Sequence, residues 1–407
     1  MKNALKLTAL AAALAAGAIA ATPASFAQPQ DAGSGVATEQ RAITAFSAIE
    51  LAGPYHVVID AQATPSLELT GERKQLAEIE TVVRGDTLVV RPVQRTTFSF
   101  SFGKRRETVT VRIGAAALKR LTVAGSGDVD IDRIGGDRFT LAGNGPGDVH
   151  ASGAVRQLAV TASGSGDLDL HRLTAADVDL VLNGPGDVQL ADVGNTLAVQ
   201  VGGSGDLEAD GLRTAKVTAR MRGPGNVKLS GTSRELDLEM SGSGDFEGCD
   251  LRIAGGARSV QRGPGNACIT GNVRTFDGEV DGSGDLDAAN LKAGKATVRA
   301  RGPGAITLAT VGDTLDAELS GSGDLTANLA AKRLLLRMNG PGGARIAGTV
   351  AQVDAQIAGS GSLDGHGLTA GHADIVVHGP GTASVNVNGK DRGQLLLVDR
   401  SGSHTSR

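Results

Sequence analysis

The sequence predicts an all-β fold: a right-handed parallel β-helix, or solenoid, of about 20 residues per coil, capped by a small β-rich N-terminal segment. A glycine triplet returns every 19 to 21 residues, which is typical of a solenoid. Between triplets, apolar and polar residues alternate as in half-buried strands. The composition, with 59 Gly, 2% aromatic and 40% hydrophobic residues, fits a β repeat protein better than a disordered chain. Parallel crossovers are nearly always right-handed, which predicts the hand.

The N-terminus predicts an export signal over residues 1–27. Lys2 and Lys6 precede an apolar stretch from Leu7 to Ala21, and Ser25-Phe26-Ala27 fits a cleavage site before Gln28. No later stretch is long and apolar enough for a membrane span. We therefore expect an exported protein, periplasmic or at the cell surface, with no membrane span after cleavage.

Residues 28–40 are small and polar and predict a linker. Residues 41–120 predict a β-rich N-terminal part, with a hairpin at Gly85-Asp86 and one or two helical turns within Glu72–Glu78. Phe98, Phe100 and Phe102 alternate with serines and place three aromatic rings on one strand face. Such a stripe can cap the open end of a solenoid or bind a partner, and we favour capping.

Residues 121–388 contain fourteen triplets, each interpreted as the corner of one rung. The glycine-serine-glycine copies begin at Gly125, Gly164, Gly203, Gly242, Gly282, Gly321 and Gly359, and the glycine-proline-glycine copies at Gly145, Gly184, Gly223, Gly263, Gly302, Gly340 and Gly379. Because a strand glycine costs ~0.5–1 kcal/mol relative to alanine, so many glycines imply a backbone requirement. That requirement is either a positive φ or a close approach of two backbones.

The alternation leaves two coil lengths open, about 20 residues or about 39. The residues three positions before successive triplets decide between them: Arg220, Glu239, Val260, Glu279, Arg299, Glu318 and Arg337. In a 20-residue coil these residues are stacked neighbours of mostly alternating charge, whereas a 39-residue coil would stack like charges. Because opposite charges stabilise neighbouring strands, we predict the shorter coil. Residues 389–407 lose the repeat; we expect at most a last strand over Leu395–Val398 and disorder from Asp399.

An aspartate follows many triplets, and its role has three interpretations. It can hydrogen-bond backbone N–H groups at a structural corner, which we favour, or bind Ca²⁺, or act as an acid–base pair. The candidate metal ligands are Asp128, Asp167, Asp206, Asp245, Asp285 and Asp324. The period of twenty excludes the nine-residue calcium repeat, and no helical pattern follows the triplets to support a phosphate loop.

Two further groups of residues have side chains that can form a disulfide or bind a metal ion. Cys249 and Cys268 each stand fourteen residues before the next triplet, so a 20-residue coil stacks them as a disulfide or as two small core residues. His366, His372 and His378 gather near Asp374, where metal binding competes with a plain surface role. The sequence indicates no cofactor and no Ser/His/Asp or Cys/His nucleophile arrangement. The net charge of −4 argues against nucleic acid.

The stretch from Phe46 to Val57 (FSAIELAGPYHV), the stretch from Ile79 that ends in LVVRP, and Leu118 to Asp128 (LKRLTVAGSGD) resemble the putative auto-transporter adhesin family, head GIN domain. The resemblance extends over about residues 41–388. It implies a pectin-lyase-like β-helix without catalytic residues and a role in adhesion. This chain departs from the family in a longer array and in its proline-containing triplets.

We therefore expect an exported, non-enzymatic β-solenoid that serves as an adhesin or as a binding or structural protein of the cell envelope. Its partner would be a protein or glycan of the envelope or of a host or neighbouring surface. Two alternatives stay open: a polysaccharide lyase or hydrolase that uses paired aspartates, and a Ca²⁺-binding solenoid.

Overall fold

The computed structural model describes residues 35–93, 108–388, 394–399 and 403–405. Its strands form one sheet of 25 strands, and its helix is a single turn. The chain winds as a parallel β-solenoid with about 20 residues per coil and about 13 turns, which confirms the predicted fold class. The right hand of the solenoid stays a prediction. The signal segment and the Phe98–Phe102 stripe lie outside the described residues.

The N-terminal part consists of eight short strands and one helical turn. They are β1 (Val36–Gln40), β2 (Ala48–Leu51), β3 (His56–Asp60), β4 (Ser66–Glu72), α1 (Arg73–Leu76), β5 (Ile79–Arg84), β6 (Thr87–Pro92), β7 (Thr110–Gly114) and β8 (Arg120–Val123). The predicted hairpin at Gly85-Asp86 is confirmed, since β5 and β6 pair antiparallel around Gly85, whose φ is 63°. The helix α1 is far too short to cross a membrane.

The lead-in segment is itself part of the solenoid. β2 lies between β6 and β8 in parallel register, and β3 lies between β7 and β9 (Val129–Gly143) in the same way. The backbone of Gly53 and Tyr55 lies directly against Gly125 and Gly127. Gly53-Pro54-Tyr55 is therefore one more corner, stacked ahead of the first glycine triplet. The parallel stack begins before residue 121, where the sequence pattern placed its start.

Antiparallel strands cover the N-terminal end of this stack. β4 pairs antiparallel with both β7 and β1, and β5 pairs antiparallel with β6. Since an open sheet edge invites pairing with another chain, these strands protect the first coil. The predicted linker over residues 28–40 is wrong in its last part, because residues 36–40 form β1. Their sequence, VATEQ, shows no alternation of apolar and polar side chains, and pairing with β4 decides their conformation.

The repeat region forms one strand per coil in most coils. These strands are β9, β10 (Val149–Ala162), β11 (Leu168–Leu182), β12 (Val188–Ala191), β13 (Val193–Val201), β14 (Leu207–Met221), β15 (Val227–Met240), β16 (Phe246–Gln261), β17 (Ala267–Val280), β18 (Leu286–Ala300), β19 (Ile306–Leu319), β20 (Leu325–Met338), β21 (Gly343–Ile357), β22 (Ser362–Val377) and β23 (Thr382–Val387).

Most of these strands are longer than the two short strands per coil that the pattern suggested. In most coils the second corner is a bend within the strand, marked by a shift in register. β20 and β21 pair without such a shift. The left-handed backbone conformation occurs at this bend. It is adopted by Gly153 (φ 140°) and Gly271 (φ 141°), and also by Asp192 (φ 54°). At Gly153 and Gly271 the pairing continues through the bend, so the strand is not interrupted there, whereas Asp192 separates β12 from β13.

The register confirms the 20-residue coil. Arg220 pairs with Glu239, Glu279 with Arg299, and Glu318 with Arg337, each one coil apart. A 39-residue coil would have placed Val260 one coil and Arg299 two coils from Arg220, whereas the register places them two and four coils away. Residues of opposite charge are therefore neighbours in adjacent coils, where their attraction stabilises the pairing of the strands.

The core lies inside the coils, where every second residue of each strand is buried. Ala257, Phe276 and Ala296 stack in one inward column, so a large ring lies between two small side chains. A Cβ at Gly278 would lie 2.9 Å from the Phe276 ring, so the absent side chain leaves room for that ring. Large and small residues in neighbouring coils thus complement each other in volume.

Two antiparallel strands follow the last coil. β24 (Gln394–Asp399) pairs with β23, and β25 (Ser403–Thr405) pairs with β22. The expected last strand over Leu395–Val398 is confirmed as part of β24. The expectation of disorder from Asp399 is wrong at β25, because the edge of β22 offers unpaired backbone groups with which this segment pairs.

Candidate functional site

The glycine triplets stack on one another along the solenoid. A Cβ added at Gly145 would overlap the carbonyl oxygen of Gly125, and one added at Gly147 would overlap that of Gly127. Among the triplet glycines only Gly379 has a positive φ, of 113°. The triplets therefore need glycine because two backbones approach closely, and the left-handed conformation belongs mainly to the opposite corner.

The aspartates after the triplets form a ladder of hydrogen bonds between coils. The N–H of Asp167 donates to Oδ1 of Asp148 at 2.8 Å, and the N–H of Asp187 donates to Oδ1 of Asp167 at 2.9 Å. The ladder of acceptors comprises Asp128, Asp148, Asp167, Asp187, Asp206, Asn226, Asp245, Asn266, Asp285 and Asp324. Each side-chain oxygen satisfies a backbone donor of the next coil.

The ladder requires an oxygen and not a charge. Asn226 accepts from the N–H of Asp245 at 2.9 Å, as an aspartate would. Ala305 and Gly343 have no acceptor to offer and only donate, to Asp285 and Asp324. The six candidate metal ligands all belong to this column, and each is two coils from the next. Within residues 35–93 and 108–388, no group of three or more His, Cys, Asp or Glu side chains is arranged to hold a metal ion.

The three C-terminal histidines do not come together. His366 Nδ1 lies 2.9 Å from Asp364 Oδ1 and 3.0 Å from Ser384 Oγ. A nucleophilic relay needs the serine and the carboxylate on opposite ring nitrogens, and here both contact Nδ1. His372 lies beside Gln352 in a strand, and the N–H of His378 donates to Ile357 O at a corner.

Cys249 and Cys268 form a disulfide between adjacent coils, with their Cα atoms 5.2 Å apart. Cys249 is exposed and Cys268 is half-buried. The alternative of two small buried core residues is therefore wrong. Cys268 pairs in register with Glu247, and a bulge after Gly248 turns Cys249 outward towards it.

The outward faces of the long strands carry columns of charged side chains. Arg258 Nη1 lies 3.2 Å from Asp237 and 3.3 Å from Glu239, and Arg301 Nη1 lies 2.6 Å from Glu279. The hydrogen bond that Arg301 donates to Glu279 raises the pKa of the Arg301 guanidinium. Since these pairs join coils, they align neighbouring strands and give the face a mixed, largely polar surface.

Two open grooves interrupt these faces. One of 980 Å³ lies at the N-terminal end, where Arg133 pairs with Asp60. The other, of 820 Å³, crosses the middle of the long-strand face around Gly255 and Gly256. We call it the central groove. The repeat pattern does not predict this groove. Its only signal in the sequence is the interval of 21 residues between Gly242 and Gly263, which contains the Gly255-Gly256 pair.

The model of the family "Putative auto-transporter adhesin, head GIN domain" matches this chain over residues 45–194, 178–269, 254–327 and 309–395. No curated protein matches significantly.

Several solved structures are similar in outline. A putative lipid binding protein from Parabacteroides distasonis is 17% identical, over 81% of this chain and 95% of that chain, with a TM-score of 0.24. A putative adhesin from Bacteroides fragilis is 18% identical, over 78% and 97%, with a TM-score of 0.25. Another putative adhesin, from Parabacteroides merdae, is 14% identical over 81% of this chain and 95% of that chain, also with a TM-score of 0.25. At such scores the likenesses carry no weight for function.

Proposed function

Because the chain belongs to the putative auto-transporter adhesin, head GIN domain family, we propose that it is an exported, non-enzymatic solenoid that binds a partner through the outward faces of its long strands. The family match covers most of the chain and supports an adhesin-like β-solenoid. Export and the absence of catalysis go beyond that match and are part of what we propose.

The observation that carries the proposal is the use of the corner aspartates. Their oxygens accept backbone N–H groups of the next coil. Oδ1 of Asp206, for example, accepts the N–H of Asn226 at 2.8 Å. An oxygen that already accepts a backbone N–H is less available to accept a proton from a substrate. The structural role of the ladder therefore leaves the broad charged faces as the surface available to a partner.

Two measurements test this function with the full chain. The first is protease treatment of intact cells, followed by treatment after the envelope is permeabilised. Digestion in either step fits an exported protein, whereas a protein that fractionates with the cytoplasm contradicts export. The second is sedimentation of the purified chain with intact cells or envelope fragments. We expect saturable binding that unlabelled protein displaces; linear, unsaturable binding contradicts a binding function.

The enzymatic alternative is tested on the same ladder. We expect wild-type protein to turn over no member of a broad panel of polysaccharides. Turnover that an Asp167→Asn, Asp206→Asn double variant abolishes, while its melting temperature is unchanged, would replace the binding function with catalysis. For the Ca²⁺-binding alternative, a chelator should leave the melting temperature unchanged, and a decrease would establish a bound cation.

A further inference from the structure

We propose that the central groove is a binding site for an acidic polysaccharide, a polymer of sugars that carry carboxylates. This inference rests on the proposed binding function and names the ligand class of one surface. The groove is lined by Lys216, Arg258, Arg274, Lys295 and Arg299, and by only three acidic residues, Glu235, Asp237 and Asp277. The surplus of positive charge stands out in a chain whose net charge is −4.

Three of the cations have no carboxylate within ion-pair distance among the described residues: Lys216, Arg274 and Lys295. Lys295 lies between Thr275 and Thr314 in its column, and neither neighbour is charged. Arg274 lies against Gly294, which has no side chain. By contrast, Arg258 and Arg299 face acids, with Arg299 Nη1 3.6 Å from Asp277. Lys216 lies in register with Glu235, and Lys295 helps to lower the pKa of Asp313, but neither forms an ion pair. These three cations can therefore contact an anionic ligand without first breaking an ion pair.

The groove exists because Gly256 replaces a side chain in the column between Glu235 and Thr275. Its backbone does not require glycine. The φ of Gly256 is not positive, and a Cβ would lie 3.4 Å from Thr275 Oγ1, which is ordinary contact. The triplet glycines, in contrast, have no room for a Cβ. The missing side chain at Gly256 thus opens a notch that the fold itself does not need.

The dimensions indicate a polymer. Lys216 and Lys295 are four coils apart in the same column, through Glu235, Gly256 and Thr275. At ~4.8 Å per coil the two lysines are separated by about 19 Å along the solenoid axis. A single sugar cannot reach both, whereas an extended chain laid along the groove can.

The mixture of groups favours a sugar polymer over an acidic peptide. Glu235, with Thr275 and Thr297, provides hydrogen-bond acceptors beside the cations. Sugar hydroxyls donate to such acceptors, while carboxylates on the same polymer contact the lysines and arginine. The ionised side chains of a polyglutamate offer no such donors.

The test measures binding of the full chain to polygalacturonate, with polyglutamate and neutral dextran as comparisons. We expect binding to polygalacturonate that weakens with salt, and little binding to dextran. A Lys216→Gln, Arg274→Gln, Lys295→Gln variant should bind about tenfold more weakly, since exposed charge contacts contribute modestly and add up. Gly256→Gln should also weaken binding, because it fills the notch without changing the charge.

A matched control removes three cations elsewhere, by Lys74→Gln, Lys119→Gln and Arg172→Gln. Circular dichroism checks that each variant keeps the wild-type β-sheet signal. Absence of polygalacturonate binding, equal weakening by the control, or tighter binding of polyglutamate would each overturn the inference. The proposed function fails separately: a chain that sediments saturably with cells but ignores polygalacturonate loses only this inference. A chain that binds polygalacturonate but stays in the cytoplasm loses only the claim of export.

Discussion

Substitution of Gly184 by alanine tests the conclusion that the triplets need glycine because the coils approach closely. A Cβ at this position would overlap the carbonyl oxygen of Gly164 and lie 2.8 Å from the carbonyl carbon of Ser163. Non-bonded carbons prefer about 3.5–4.0 Å, so the two coils must separate by roughly 1 Å. Both obstacles are backbone atoms, which cannot rotate away as a side chain would.

The expected cost follows from the hydrogen bonds at the same corner. The N–H of Gly184 donates to Ala162 O at 3.1 Å, and the N–H of Gly186 donates to Gly164 O at 3.4 Å. A separation of roughly 1 Å would break or severely weaken both bonds, at about 1 kcal/mol each. Overpacking adds about 1–3 kcal/mol, so we expect a total loss of about 3 kcal/mol or more.

The matched control is Gly194→Ala, ten residues further along the same coil. Its Cβ would lie 3.8 Å from the nearest atom, and its φ is not positive. Alanine there should be neutral or stabilise the protein by ~0.4–1 kcal/mol, because it restricts the unfolded chain.

Urea unfolding followed by circular dichroism measures both variants, and hydrogen exchange locates the effect. Because a solenoid transmits stability mainly between neighbouring coils, we expect faster exchange around residues 164–203 and little change near Gly321. If Gly184→Ala is no less stable than Gly194→Ala, the close-approach account of the triplets is wrong.

Three further predictions follow from the structure. Asp206→Ala should lower the free energy of unfolding by about 1 kcal/mol, since it removes the acceptor of the Asn226 N–H. Asp206→Asn keeps an oxygen and should be nearly neutral. Calorimetry measures both variants, and an equal loss in both would show that the charge, and not the acceptor, stabilises the corner. Burial raises the pKa of Tyr55 to about 12, so stability should hold below the unfolded pKa of ~10 and fall as the pH rises towards 12. As the chain has one Tyr and no Trp, ultraviolet absorbance reports this ionisation directly, and a midpoint near 10 would contradict it. The Cys249–Cys268 disulfide closes a separation of 19 residues, so its reduction should lower the free energy of unfolding by about 3 kcal/mol. Peptide mapping without reductant should find the linked pair, and free thiols in protein purified without reductant would contradict it.

The coil length could be predicted because its signals are periodic in the chain. The triplets repeat at 19 to 21 residues, and the residues before them alternate in sign, as at Arg220 and Glu239. Both signals arise from side-chain alternation along a strand and from pairing with the next coil, which leave a regular trace in the sequence. The fold class and the corner role of the triplets followed from that trace.

Three features were decided only by the distance between coils. The sequence left open whether the triplet glycines avoid a clash or adopt a positive φ, because both explanations require the same residue. The carboxylate of Asp167 was available for a metal, a proton or a backbone donor, and the N–H of Asp187, twenty residues away, determines its role. The central groove combines residues from five coils, from Lys216 to Lys295. A linear pattern specifies which face a residue lies on; only the stacked coils determine which residues meet there.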